Sequence, residues 1–262
     1  MKRIGWLADA GKYEGGAEMA AREAASQAPA GVTVVPCPPD AVREDVDAYV
    51  VNNCTQYTHD VIAFLSRKPV VKIQHDVWPY GDPTLRTWLL KNARLFILGS
   101  PVQAECLPWR IEGKQVFVPH SVSFEPFRNA ARNAKEREGV VWIGRIERGK
   151  GIEQARAWAM KEGVTVDVYG YGSQVITVRP PLLYKGQVNY KDVPALLARY
   201  ETFLFLPIEA EPYNRATVEA YAAGCELVVN RNVGPLWWIE NDPKSMEDAH
   251  NLMWRAIEGA IA

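Results

Sequence analysis

Along the chain, short apolar runs alternate with polar stretches in which apolar positions return every third or fourth residue. The runs RIGWLA (3–8), VTVVP (32–36), DAYVVN (47–52), PVVKIQ (69–74), RLFILG (94–99) and QVFVPH (115–120) read as strands. GVVWIG (139–144), VTVDVYG (164–170), TFLFLP (202–207) and ELVVN (226–230) continue the series. Helical spacing covers 16–28, 58–67, 83–92 and 101–108, then 151–162, 191–200, 214–223 and 245–260. Continuous apolar strands alternating with helices predict α/β architecture, with parallel sheets covered on both faces. The polar, charged segment 121–138 lacks any strand pattern and reads as a linker between two Rossmann-like halves. The expected divisions are 1–122, a linker at 123–138, a second domain at 139–244 and a final helix at 245–262.

With 262 residues the chain can bury a core in each half. A net charge of -1 excludes a global basic field of the kind that attracts nucleic acid or anionic membrane. Local basicity at Lys12, Arg86, Lys91, Arg94, Arg110 and Lys114 leaves a polyanionic partner open. Cys37, Cys54, Cys106 and Cys225 are far apart, show no metal-ligand spacing and are expected to be buried free thiols. That usage, with no leader-like or membrane-spanning apolar segment, points to the cytoplasm. Of nine tryptophans, Trp78, Trp88, Trp109, Trp237 and Trp238 fall in turn-rich segments, where packing under loops is the expected role.

The most informative stretch is E-P-Y-N-R-A-T-V-E-A-Y-A-A-G-C-E-L-V-V, residues 211–229. Glu211 stands before a predicted helix, with Pro212 in its first turn, and Glu219 lies inside it. Eight residues at about 100° each leave the two acids roughly 80° apart, so they are not a stacked acid/base dyad. At the carboxyl edge of a parallel sheet, such carboxylates accept hydrogen bonds from the vicinal hydroxyls of a sugar. For either acid alone, stabilising the helix dipole is the plainer reading. In V-V-W-I-G-R-I-E-R-G-K-G (140–151), a buried strand ends at Gly144 and Arg145, and Lys150 precedes a helix. Two cations beside a helix N-terminus suit a diphosphate, although Glu147 and Arg148 also fit a solvated turn. His75 closes a strand ahead of a loop rich in Pro and Gly, where it serves either structure or a cleft.

The 211–229 stretch resembles the E-x7-E signature of retaining glycosyltransferases of the GT-B fold, particularly family 4. Asn214 stands where that family has glycine, and Glu226 where it has proline. Arg145 and Lys150 fall on the family's V-G-R-x-x-x-x-K-G segment. Gly15, Gly16 and Glu18 are similar to its G-G-A-E loop, and His75-Asp76 to its His-Asp pair. His120 replaces the asparagine of V-P-N-G, while Gly170 and Val188 lie in segments resembling those near the nucleotide.

The resemblance implies two Rossmann-like domains facing a central cleft, with the last helix crossing back to the first domain. It implies a metal-independent transfer of a hexose, with retention, from a nucleoside-diphosphate sugar, a UDP- or GDP-sugar foremost. Arg145 and Lys150 would hold the pyrophosphate and neutralise the leaving group, helped by the amides of Asn214, Arg215, Ala216 and Thr217. Glu219 would hold the ribose and Glu211 the hexose, with His75 touching a sugar hydroxyl or the acceptor and Asp76 orienting it. Gly16, Gly144, Gly170 and Val188 complete the expected donor contacts. No resident cofactor is implied, and no metal ligand is expected. A glycan, a lipid-linked sugar, a small molecule and a modified nucleic acid all remain acceptor candidates. A nucleotide-sugar epimerase and a non-catalytic sugar-nucleotide or glycan-binding module are the rival readings.

Overall fold

A computed structural model describes residues 1–9, 15–77, 81–111 and 113–262. Lys12 and Trp78 lie outside the described residues. The chain divides into two compact units, residues 1–121 with 237–262, and residues 122–236.

The first unit holds β1 (Lys2–Leu7), α1 (Gly16–Ser26), β2 (Val32–Pro36), β3 (Ala48–Val51), α2 (Ile62–Leu65) and β4 (Val70–Gln74). It continues with α3 (Pro83–Asn92), β5 (Leu95–Leu98), α4 (Pro101–Cys106) and β6 (Gln115–Phe117). Its sheet runs β2-β1-β3-β4-β5-β6, and all its pairings are parallel. β3, β4 and β5 are almost wholly buried, which is why they read as unbroken apolar runs.

The second unit holds α5 (Glu125–Asn133), β7 (Val140–Arg145), α6 (Ile152–Glu162), β8 (Val166–Tyr171) and β9 (Leu182–Gly186). α7 (Val193–Leu197), β10 (Thr202–Phe205), α8 (Arg215–Ala222) and β11 (Glu226–Val229) follow. Its parallel sheet runs β11-β10-β7-β8-β9, around buried Trp142, Phe203 and Phe205. The rest of the chain is α9 (Gly234–Asn241), α10 (Pro243–Glu247) and α11 (Ala249–Ile261).

The predicted linker is partly helix. In α5 a single buried side chain, Phe127, anchors a largely polar segment against α7 and α8, so average polarity hides the helix. The return to the first unit starts at Trp237, ahead of the expected final helix. Trp238 Nε1 donates to Gly99 O at 2.6 Å, and Trp254 Nε1 donates to Ala24 O at 2.9 Å. α11 packs on β4 and β5. Trp88, Trp237 and Trp238 therefore sit on helices rather than in turns. β9 has no counterpart among the predicted strands: it is an edge strand with Leu183, Tyr184 and Lys185 exposed, and Pro180-Pro181 before it speaks against a strand. Cys106 is exposed at the end of α4, against the expectation of burial, whereas Cys37 and Cys225 are buried. No helix among the described residues is long and apolar enough to cross a membrane.

Candidate functional site

Arg145, Lys150, Glu211 and the start of α8 lie at the carboxyl ends of β7 and β10, all in the second unit. The loop carrying Lys150 is built on glycine. Gly151 sits at φ 77°, and a Cβ there would meet Leu206 O at 1.9 Å. Gly149 leaves room for the Glu209 carboxylate and accepts the backbone N–H groups of Ile208 and Glu209. This close backbone approach brings Lys150 Nζ to 2.5 Å from Glu211 Oε1. Asn214 Nδ2 donates to the other Glu211 oxygen at 3.4 Å. The Glu211 backbone is clamped in turn, its N–H donating to Asn232 O and its carbonyl accepting from Gly234 N. Asn230 and Asn232 both donate their side-chain amides to Pro207 O, joining the two loops. Nothing in the sequence reading singled out Asn230 or Asn232; their only signal is the N-x-N spacing after β11.

α8 begins later than expected. Pro212 lies in a preceding turn, and Asn214 is the N-cap, its side chain accepting from Thr217 N and Thr217 Oγ1. The Thr217 amide is therefore spent on the cap and is not available to a phosphate, a correction to its expected role. Ala216 stays in the first turn, where amides have no intrahelical partner. Glu219 is 5% exposed and pairs with Arg215 Nε at 3.4 Å. Arg215 Nη2 donates to Tyr190 Oη at 2.8 Å, and the guanidinium sits 5.7 Å from the Tyr190 ring centre. The Tyr190 phenol also hydrogen-bonds Glu219, and burial pushes its pKa up to about 12. Tyr190 was not foreseen. It precedes α7 and reaches α8 only through the tertiary fold.

Arg145 is mostly exposed and pairs with Glu147 at 2.8 Å. Gly144 and Gly170 face each other across β7 and β8, and a Cβ on Gly170 would come within 1.8 Å of Gly144 O. Strand packing alone accounts for that glycine. Val188 is half-buried in the loop after β9.

Gly16 and His75 belong to the first unit. Gly16 opens α1, whose N-cap Gly15 offers no side chain, and Glu18 Oε1 accepts from Asn53 Nδ2 at 3.3 Å. His75 is 6% exposed; its ring lies edge-on to His120, with centres 4.6 Å apart. Its hydrogen-bond partner is Asn52 Oδ1 at 3.3 Å, not the expected Asp76. Burial, then His120 and Lys72, hold the His75 pKa well below its ordinary value, so the ring is neutral. Lys72 is itself buried, its ammonium donating to Asn52 O and Ile73 O. Of the residues of the expected basic patch, Arg86, on α3, lies 5.6 Å over the Trp109 ring beside a cavity of about 50 Å³.

Two parallel sheets of this order and strand content match a known architecture. HepE of Anabaena, in complex with UDP and glucose, superposes with a TM-score of 0.66 at 18% identity, covering 98% of this chain and 90% of that one. Sucrose-phosphate synthase of Thermosynechococcus elongatus gives 0.66 at 16% identity, covering 99% and 89%. AviGT4, a glycosyltransferase involved in avilamycin A biosynthesis, gives 0.64 at 14% identity, covering 99% and 89%. The fold is GT-B. No protein-family model matches the sequence, and no curated protein matches it. The likeness to these GT-B structures is one of fold, at identities where side-chain roles do not carry over.

Proposed function

We propose that the chain is a family 4-like retaining glycosyltransferase that moves a hexose from a nucleoside-diphosphate sugar to a hydroxyl acceptor without a metal. The observation that carries this reading is the Lys150–Glu211–Asn214 chain at the strand ends of the second unit. It couples a cation suited to a diphosphate with a carboxylate suited to sugar hydroxyls, at the mouth of an α-helix. The GT-B neighbours add weight, since HepE has been seen with UDP-glucose and trehalose-6-phosphate synthase of E. coli with UDP-2-fluoro glucose. A UDP-sugar is accordingly the foremost donor.

In the proposed reaction the bond between the anomeric carbon and the β-phosphate oxygen breaks as the acceptor oxygen bonds to the same face. The acceptor's proton passes to the departing phosphate oxygen, so no protein nucleophile is used. Lys150 and Arg145 stabilise the charge developing on that phosphate, which is where preorganised cations act most strongly. The Ala216 amide, in the first turn of α8, adds its dipole. Glu211 orients hexose hydroxyls and Glu219 the ribose. Cytoplasmic placement belongs to the same proposal, which includes no membrane-spanning helix.

Screening thermal stability against UDP-, GDP-, ADP- and dTDP-sugars tests the reading. One donor raises the melting temperature by mass action, and Lys150→Ala removes that rise. The reading is lost if no nucleotide sugar stabilises the chain, or if Glu219→Ala leaves donor hydrolysis and transfer unchanged.

A further inference from the structure

The first unit contains a hydrogen-bond chain that assigns the proton on His75. The Leu7 carbonyl accepts the Asn52 backbone N–H at 2.8 Å and the Asn52 side-chain Nδ2 at 3.4 Å. A carbonyl cannot face the amide oxygen, so Nδ2 must lie on the Leu7 side and Oδ1 must point to His75. Oδ1 only accepts, and it lies 3.3 Å from His75 Nε2. Nε2 therefore carries the hydrogen. The other ring nitrogen, Nδ1, is buried and has no hydrogen-bond partner among the described residues. In a neutral imidazole that atom holds a lone pair. Leaving a buried acceptor unpaired costs stability, so such an atom calls for a ligand that donates to it.

We infer that Asn52 is a positioning residue, which locks His75 in its Nε2–H form so that Nδ1 accepts a hydrogen bond from a hydroxyl of the acceptor. The inference rests on the glycosyltransferase reading and names an atom within it. The charged and titratable neighbours of the ring, His120 and Lys72, both disfavour an imidazolium, and burial acts in the same sense. His75 takes no net proton. It orients a hydroxyl of the acceptor other than the one that reacts. A carboxylate on Nε2 would favour the charged ring and destroy the acceptor site, whereas an amide keeps the ring neutral.

Long-range proton–nitrogen correlation spectra of the full chain, labelled with ¹⁵N, read the tautomer directly. His75 in the wild type shows Nε2–H with unprotonated Nδ1 between about pH 6 and 8. Asn52→Asp, which keeps the shape, makes His75 protonate at higher pH. Asn52→Ala mixes the two tautomers and raises the acceptor KM about tenfold with the donor KM unchanged, the loss expected for one hydrogen bond. An Nδ1–H ring in the wild type overturns the inference, as does an unaltered tautomer and pKa in Asn52→Asp. The spectra need no substrate. Failure of donor binding would thus remove the glycosyltransferase reading while the tautomer result still stands or falls alone.

Discussion

Lys150 Nζ lies 2.5 Å from Glu211 Oε1, joining the two segments of the chain that carry its most specific motifs. The side chains are 31% and 12% exposed, so the pair is screened by water on the lysine side and sheltered on the carboxylate side. In the proposed reaction a diphosphate approaching Lys150 would compete with Glu211 for the ammonium. The freed carboxylate would then turn its lone pairs to sugar hydroxyls, which under that proposal links recognition of the two ends of one donor.

Removing one partner leaves the other's charge uncompensated. Lys150→Ala is expected to destabilise the chain by about 1–2 kcal/mol, between the ranges for exposed and buried pairs. It should also lower kcat/KM for transfer by about 10²-fold or more, the scale for losing one preorganised group on a developing charge. Chemical denaturation and initial rates measure the two effects. Lys150→Arg restoring stability but not rate would show that position matters beyond charge.

Much of the architecture was legible because its strands are buried on both faces and leave little doubt about period. β9 escaped because an edge strand needs apolar residues on one face only, and Leu183 and Tyr184 are exposed. α5 escaped because one buried phenylalanine holds it. Arg145, Lys150, Glu211 and Glu219, the residues of the proposed site, were picked out from local spacing. Their partners were not: Tyr190 and Asn232 reach their contacts from other elements, as Asn52 reaches His75, and no local pattern encodes a tertiary meeting. Thr217 was assigned wrongly for a related reason, since the cap that uses its amide depends on where α8 begins.

If Glu219 holds the ribose as proposed, Tyr190 competes for the same side chain, to which it hydrogen-bonds. Tyr190→Phe keeps the ring against Arg215 but removes the competing hydroxyl. Binding of UDP is expected to tighten by about threefold to tenfold, the range for one net hydrogen bond. Calorimetric titration decides it. Weakened binding in Tyr190→Phe would instead make the phenol a direct donor contact.

Gly170 and Gly163 separate steric need from backbone preference. Both have positive φ, at 150° and 69°, but an added Cβ meets Gly144 O at 1.8 Å in the first case and open space in the second. Gly163→Ala should cost about 1 kcal/mol for the left-handed conformation alone. Gly170→Ala should cost more than about 3 kcal/mol, because the β7–β8 ladder must move. Equal losses in denaturation would mean that the strands part easily at that point.

His59 and Asp82 supply a pH test independent of the proposed chemistry. Asp82 Oδ2 accepts from the His59 backbone N–H and lies 3.0 Å from His59 Nδ1, while Oδ1 caps α3 through Thr84 and Leu85. The hydrogen bond to Asp82 raises the His59 pKa, and the one to His59 leads the causes that lower Asp82 to about 2. A raised histidine pKa means that the folded state holds the proton more tightly. Its contribution is full below the ordinary value of 6.5 and is lost as pH rises through the raised folded value. The Asp82 contribution is present above its ordinary value of 3.8 and is lost as pH falls through about 2. Asp82→Asn keeps an oxygen for the cap but removes the charge. The stability gap between wild type and variant should therefore be widest between those limits and narrow as pH rises above neutrality. The His59 titration midpoint, followed by NMR, should fall towards 6.5 in the variant. An unchanged midpoint would show that exposure to solvent cancels the pair.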